Sequence, residues 1–250
     1  MPRLLMVGDT HGNFNFMRHM VDVACDNEID TIVQLGDFGF VWPGSDFNLQ
    51  RLNDYAATFG KRIVFIPGNH EDWDVLDNYK ESATASNTLT VNGFIPIASN
   101  IFYTGKVSSW MWDGVRFAVA GGAYSVDKQY RTPGKSWWPQ ETLTDEDMLE
   151  VEEIALPDVL LTHDGPTWAP YGRLMDDIES HIHRQRIDAV YQATAPLVWF
   201  HGHYHRYMEY TGYHNVSGES TDIYGLDCDG APGINRVIFD TETLSVEKGV

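Results

Sequence analysis

The sequence predicts an α/β fold built around a parallel β-sheet, and three observations predict it. Compact apolar runs alternate with amphipathic helical stretches from the start of the chain. Several of these runs end in a glycine-bearing turn that also carries Asp, His or Asn, and such turns are where open α/β sheets gather ligands. No Pro-rich tract, Gly/Ser linker or repeat of solenoid spacing interrupts the 250 residues, so residues 1–250 read as one domain.

Arg3 to Val7 is a buried-type strand that ends at Gly8-Asp9-Thr10-His11. Phe14 to Glu28 follows as a helix, with Phe14, Met17, Val21, Ala24 and Cys25 on one side. Thr31 to Leu35 is the next strand and ends at Gly36-Asp37; Phe47 to Phe59 has helical spacing. Arg62 to Ile66 ends at Gly68-Asn69-His70-Glu71 and completes a strand–helix–strand–helix–strand order, which favours right-handed parallel crossovers. Leu89 to Thr104 reads as short strands and turns, and Val115 to Ala120 as another apolar strand. Gly121 to Thr142 is a long irregular stretch, a length that compact domains usually reserve for function. Thr144 with the acids after it marks a helix start, and that helix is expected to reach Ala155. Asp158 to Leu161 is a strand ending at Thr162-His163-Asp164-Gly165. A helix over Asp177 to Gln192 leads to the strand Pro196 to Phe200, and further strands include Arg236 to Phe239 and Leu244 to Glu247. The run Asp176, Asp177, Glu179 reads as a solvated helix start.

The charge balance is strongly acidic, −19 from 36 acidic and 17 basic residues. Such a surface repels nucleic acid and anionic membranes, so stable nucleic-acid binding is not expected. A phosphate site here needs its own positive charge, which divalent ions can supply. Cys25 and Cys228 are the two cysteines, as expected in a reducing compartment. With no leader-like start and no apolar run of membrane-spanning length, a soluble, cytoplasmic location with no membrane contact is expected.

His201, His203 and His205 fall at alternate positions after an apolar run, a clustering that a bound metal ion makes favourable. Taken with the other strand ends, the polar set comprises Asp9, His11, Asp37, Asn69, His70, His163, His203 and His205. Carboxylates, imidazoles and one amide form a mixed N/O set that suits manganese, iron or zinc better than calcium or magnesium. The set is too large for one tetrahedral ion and suits two. Two divalent ions would outweigh Asp9 and Asp37 even with a bridging hydroxide counted, which leaves a positive site for a phosphate ester. Taken alone, each Asp could equally cap a helix or turn, and His163 could be a turn histidine.

The ordered series Gly8-Asp9-Thr10-His11, Gly36-Asp37, Gly68-Asn69-His70-Glu71, Thr162-His163 and Gly202-His203-Tyr204-His205 resembles the calcineurin-like metallophosphoesterases. The resemblance implies a four-layer αββα sandwich, two mixed β-sheets flanked by helices. It implies that Asp9, His11 and His205 hold one ion, that Asn69, His163 and His203 hold the other, and that Asp37 bridges them. His70 would face the substrate as the catalytic group, and His201 would be a structural strand-end histidine. Two divalent metal ions are expected, manganese favoured over iron or zinc, with a metal-bridging hydroxide as the attacking group.

Where protein phosphatases of that family carry an orienting Asp and a phosphate-gripping Arg, this chain has Phe40 and Val41. His70 then needs another orienting partner, and Glu71, Asp72 and Asp74 are near in sequence. The phosphate needs another grip, and Lys128, Arg131, Trp137 and Arg206 are the candidates, with Trp137, Trp138 or Tyr124 placed to stack a base or to pack the loop. The expected activity is a phosphodiesterase acting on a small phosphoester such as a cyclic nucleotide. A phosphomonoesterase or protein phosphatase, a nuclease and a non-catalytic binding scaffold are the alternatives.

Overall fold

A computed structural model describes residues 3–90, 92–171, 177–215 and 218–249; Asp176 of the acidic run lies outside them. The first sheet is built from β1 (Arg3–Val7), β2 (Thr31–Gln34), β3 (Arg62–Phe65), β4 (Ile95–Pro96) and β5 (Ile101–Tyr103), with β12 (Arg236–Asp240) and β13 (Ser245–Glu247) from the end of the chain. Its order is β13-β12-β1-β2-β3-β5-β4, parallel from β1 through β5 and antiparallel at both margins. The second sheet holds β6 (Val107–Trp112), β7 (Val115–Ala120), β8 (Val159–Thr162), β9 (Val198–His201), β10 (Met208–Tyr213) and β11 (Ser220–Gly225). Its order is β10-β11-β9-β8-β7-β6, parallel from β7 through β11 and antiparallel at its edges.

Side-chain alternation along each strand explains the layers. Leu4, Met6, Val33, Leu35, Val64 and Ile66 of the first sheet meet Phe117, Val119, Val159, Leu161, Val198 and Phe200 of the second. The alternate residues Leu5, Val7, Ile32, Ile63 and Phe65 face outward onto α1 (Phe14–Asp26), α2 (Asp46–Thr58) and α3 (Trp73–Ser86). On the other side Ala118, Leu160, Trp199 and Ile223 pack on α4 (Asp145–Glu152) and α5 (Ile178–Thr194). Strands covered on both faces must be apolar throughout, which is why they read as unbroken runs. The result is the expected four-layer α/β sandwich of two mixed sheets flanked by helices.

Two elements are absent from the sequence expectation, and one helix is shorter than expected. The helix α3 is unforeseen: only Trp73, Leu76 and Ala83 are buried along it, too sparse a stripe to stand out among its polar residues. Its ends are nonetheless set locally, by Asp72 accepting from the Val75 amide and by Asn87 in the left-handed region. The strand β6 is also unforeseen; it is an edge strand that pairs with β7 through a turn at Asp113-Gly114, both with positive φ. The helix α4 ends at Glu152, short of Ala155.

All the parallel strands begin on one side of the sandwich. There a cavity of about 850 Å³ is lined by Arg3, Thr31, Arg62 and Val115, with Trp112 and Asp113 beside them. Among the described residues no helix is long and apolar enough to cross a membrane.

The start of α4 is fixed by a reciprocal capping box between Thr144 and Asp147. Lys106 Nζ donates to Asp147 Oδ2 at 2.6 Å and to the Thr142 carbonyl oxygen at 2.8 Å. Burial disfavours the Asp147 charge, yet Lys106 and the Thr144 amide outweigh it and hold the carboxyl below its ordinary value. A lowered folded-state value means stability that is present at neutral pH and lost as pH falls through that value. Asp147→Asn should therefore cost about 1–2 kcal/mol at pH 7. Urea denaturation over a pH series should show the gap to the unsubstituted protein closing below the carboxylate range; a gap constant with pH would remove the ionic contribution.

Candidate metal centre

The carboxyl ends of β1, β2, β3, β8 and β9 converge at one edge, and the loops there are locked to one another. Thr10 and His11 amides donate to the Asp37 carbonyl oxygen at 3.2 and 2.9 Å, and Thr10 Oγ1 donates to that of Phe38 at 2.8 Å. The Asp37 Oδ1 atom accepts from the His70 amide at 2.8 Å, and Asp9 Oδ1 accepts from the His203 amide at 3.0 Å. Glycine is required where the loops meet. A Cβ at Gly68 would overlap the Asp37 carboxylate, and one at Gly36, with φ at 90°, would overlap the His163 ring.

Two groups of potential ligands result. One comprises Asp9, His11 and His205; the other comprises Asp37, His163 and His203. Their imidazole and carboxylate atoms approach without bonding well: His205 Nε2 lies 3.2 Å from Asp9 Oδ2, His163 Nε2 lies 3.2 Å from Asp37 Oδ1, and His11 Nε2 lies 3.7 Å from Asp37 Oδ2. Asp9 Oδ2, Asn69 Oδ1 and His163 Nε2 are buried with no hydrogen-bond partner among the described residues. Orphaned acceptors of this kind are costly unless a cation or proton meets them. Ring orientation agrees. His163 Nδ1 donates to the Leu35 carbonyl oxygen and His11 Nδ1 donates to Asp229 Oδ1, both at 2.8 Å, which turns each Nε2 inward as a lone-pair donor.

The electrostatics favour positive charge. Burial works against protonation of His11 and His163, but Asp37 with Asp229 lifts His11 to about 9, and Asp37 with Asp9 lifts His163 to about 10. Burial opposes the charge on Asp37 as well, and His163 and His70 hold its carboxyl well below the usual range. His203, by contrast, is pushed down to about 4 by burial and stays neutral. The residues therefore fit divalent cations in mixed N/O coordination.

The last ligand loop owes its shape to two left-handed residues, His203 at φ 69° and His205 at φ 47°, with Tyr204 between them. Tyr204 is pinned by its hydroxyl donating to Asp164 Oδ1 at 2.5 Å and by stacking on Tyr171 at 3.7 Å between ring centroids. The turn sends His203 and His205 to different groups. His201 lies before it, fully buried at the end of β9, with Nε2 3.0 Å from the Tyr210 hydroxyl. Asp164 also accepts from His183 Nδ1 at 2.9 Å, so His183 is a buried brace on α5.

None of the acids near His70 in sequence orients it. Glu71 accepts the Phe38 amide at 2.6 Å, Asp72 caps α3, and Asp74 accepts from Trp138 Nε1 at 3.0 Å. What meets His70 Nε2 is Arg131 Nη2, at 2.8 Å, donated from the long loop and held there by Asp127 Oδ1 at 2.7 Å from Nε. The Trp42 ring stands 5.9 Å from that of His70 and 5.5 Å from that of Trp138. The remaining loop candidates are engaged in packing. Lys128 pairs with Glu179 at 3.2 Å and sits over Trp137 at 4.6 Å, and Trp137 Nε1 donates to Glu141. Arg206 Nη1 donates to the Tyr171 carbonyl oxygen at 3.3 Å.

Asp229 and Trp42 escaped the sequence reading. Asp229 lies in a turn beyond the last motif, where Asp227-Cys228-Asp229-Gly230 looks like any turn, yet its amide donates to the Asp9 carbonyl oxygen at 2.8 Å and its Oδ2 accepts from Asn13 Nδ2 at 2.8 Å. Asp229→Asn keeps the shape but removes the charge behind His11. It should weaken binding of one divalent ion about 10–100-fold by titration calorimetry. Unchanged affinities would show that Asp229 does not support His11.

The sequence profile of the calcineurin-like phosphoesterases matches residues 2–207. A search of curated protein sequences gives no match. Among solved structures, a dimetal phosphatase from Danio rerio is 12% identical, with 94% of this chain and 91% of that chain covered and a TM-score of 0.55. TT1561 of Thermus thermophilus is also 12% identical, with 99% and 98% covered and a TM-score of 0.53. At such identity these structures share the fold. Profile, layer order and strand-end motifs agree, and the chain belongs to the calcineurin-like phosphoesterase family.

Proposed function

We propose that the protein is a dinuclear metal-dependent phosphodiesterase acting on small nucleotides, cyclic nucleotides included. The observation that carries this reading is the pair of ligand groups with the His70–Arg131 contact at its edge. In this reading Asp9, His11 and His205 hold one ion, Asn69, His163 and His203 hold the second, and Asp37 serves both. Manganese is the favoured ion, with iron or zinc compatible with the same ligands. When bound, the two ions supply Lewis-acid polarisation of the phosphoryl oxygens and an activated water.

The chain's own groups do the rest. Arg131 takes the place of the arginine that Val41 lacks: its Nη2, which meets His70 in the free chain, turns to a phosphoryl oxygen as substrate enters. Burial and the nearby cation push His70 below its ordinary value, which makes its protonated form a ready donor. The attacking water gives one proton to solvent as its oxygen adds to phosphorus, the bond to the leaving oxygen breaks, the His70 proton goes to that oxygen, and a proton from solvent restores His70. Trp42, beside His70, gives the leaving group an aromatic wall suited to a nucleoside or aryl alcohol. Lys128, Trp137 and Arg206 are the outer candidates for substrate contact.

Metal analysis followed by a panel of mono- and diesters, with manganese added, tests this. Cyclic nucleotides and an aryl diester should be cleaved with kcat/KM at least ~10-fold above the matching monoesters. Monoesters preferred by that margin would replace the reading with a phosphomonoesterase, and a protein that takes up no manganese, iron or zinc would end it. His70→Ala should lower kcat about 10²–10⁴-fold with metal content intact. Arg131→Ala should lower kcat/KM about 10²-fold, with little recovery in Arg131→Lys because a lysine lacks the planar fork. Unchanged rates would remove either role.

A further inference from the structure

A buried carboxylate linked to Asn69 through Ser125 is accounted for by neither the family motifs nor the mechanism above. Glu141, 1% exposed, lies at the end of the long loop and accepts three hydrogen bonds. Its Oε1 takes the Ser125 amide at 2.8 Å and Trp137 Nε1 at 2.9 Å, and its Oε2 takes Ser125 Oγ at 2.9 Å. Ser125 Oγ in turn lies 3.1 Å from Asn69 Nδ2. Ser125 and Asn69 are as buried as Glu141, at 1% and 3% exposed, so hydrogen-bond direction inside the chain is set by the groups themselves.

The direction follows from counting protons. Burial lifts the Glu141 carboxyl to about 7 against the pull of its Ser125 and Trp137 donors; in its ionised form it only accepts, so the single hydroxyl proton of Ser125 is then committed to Glu141 Oε2. The Ser125 oxygen is then left as an acceptor toward Asn69. It can be satisfied only by the amide NH2, which leaves Asn69 Oδ1 as the atom with no partner, aimed away from Ser125. An asparagine turned the other way would present NH2 where an ion needs oxygen.

We propose that Glu141 is a positioning residue that, through Ser125, fixes which end of the Asn69 amide faces the second ion. The proposal rests on the two-ion reading of the site. It also means that docking of the long loop, through Trp137 on Oε1, and orientation of an ion ligand, through Ser125 on Oε2, are held by one side chain.

Isosteric exchange provides the test. In Glu141→Gln two N–H groups still face the Oε1 position, so the new NH2 must occupy the Oε2 position and donate to Ser125 Oγ. The Ser125 proton then turns toward residue 69 and favours the inverted asparagine. Titration calorimetry and metal analysis on the full chain should show two manganese ions bound to the unsubstituted protein. Glu141→Gln should bind the second equivalent ~10–100-fold more weakly and leave the first unchanged. The decisive variant is Asn69→Asp in that background. A carboxylate can accept the redirected Ser125 proton and still offer oxygen to the ion, so Asn69→Asp/Glu141→Gln should bind the second ion ~10-fold more tightly than Glu141→Gln alone. Because the carboxylate of Asn69→Asp adds charge in either background, the readout is the coupling: Glu141→Gln should cost little once Asn69→Asp is present, whereas a side chain that merely packs the loop would cost the same with Asn or Asp at position 69. Should Glu141→Gln fail to fold by circular dichroism, Ser125→Ala keeps the carboxylate and its bond to Trp137 and should still weaken the second ion. An unaltered second equivalent in Glu141→Gln or Ser125→Ala, or an equal cost of Glu141→Gln with Asn or Asp at position 69, overturns the proposal. A failure of the unsubstituted protein to bind two ions would instead strike the reading beneath it.

Discussion

The Asp37 carboxylate is buried between four loops, and the arrangement of the site depends on keeping it charged there. Its backbone oxygen ties down Thr10 and His11, its Oδ1 takes the His70 amide, and its two oxygens face His163, His11 and His70. Removing such an ion from water is costly unless charge of the opposite sign is supplied at short range. Protons on the neighbouring imidazoles can do this in part. In the two-ion reading divalent ions would do it with the imidazoles neutral, and would also satisfy the buried acceptors on Asp9, Asn69 and His163 that have no hydrogen-bond partner among the described residues. In that reading, metal affinity is built into the packing of the sandwich rather than added at its surface.

Backbone strain is concentrated in the same place. His11, Asp37, His203 and His205 all have positive φ, an arrangement that costs of order 1–3 kcal/mol for each residue without glycine's freedom. The surrounding bonds over-determine these conformations: Asp229 and Asn13 around His11, Gln34 bracing Gly8 and Gly36, and Asp164 with Tyr171 holding Tyr204. Rigid strands thereby place strained loops, and strained loops place the side chains.

Much of this was legible in the sequence because the parallel strands are buried on both faces. Val-, Ile- and Leu-rich runs such as Arg62 to Ile66 cannot be mistaken for surface, and a polar turn directly after each one marks a strand end. The division of His203 and His205 between two groups followed the family pattern; the cause, a turn with two left-handed residues, has no local sequence signature. Elements with weak periodicity were invisible: α3 shows three buried side chains in fourteen residues, and β6 alternates only as an edge strand does. The supports were hidden for a different reason. Asp229 and Arg131 act across 218 and 61 residues of chain, on His11 and His70 respectively, and no spacing rule spans such separations. Nearness in sequence pointed to Glu71, Asp72 and Asp74 for His70, but each of these is committed to a backbone or loop donor closer to it in space.

The parallel strands give the molecule two unlike ends. Their carboxyl ends carry every group discussed as a ligand, whereas their amino ends open on the cavity beside Arg3, Thr31, Arg62 and Val115. About 1.5 nm of strand separates the two ends, since four or five residues rise about 3.3 Å each. A fluorophore, a surface linker or a fused domain joined at the exposed Asp113-Gly114 turn would stand on the side away from the chemistry. The fold therefore offers a handle by which the protein can be immobilised with its catalytic edge presented to solution.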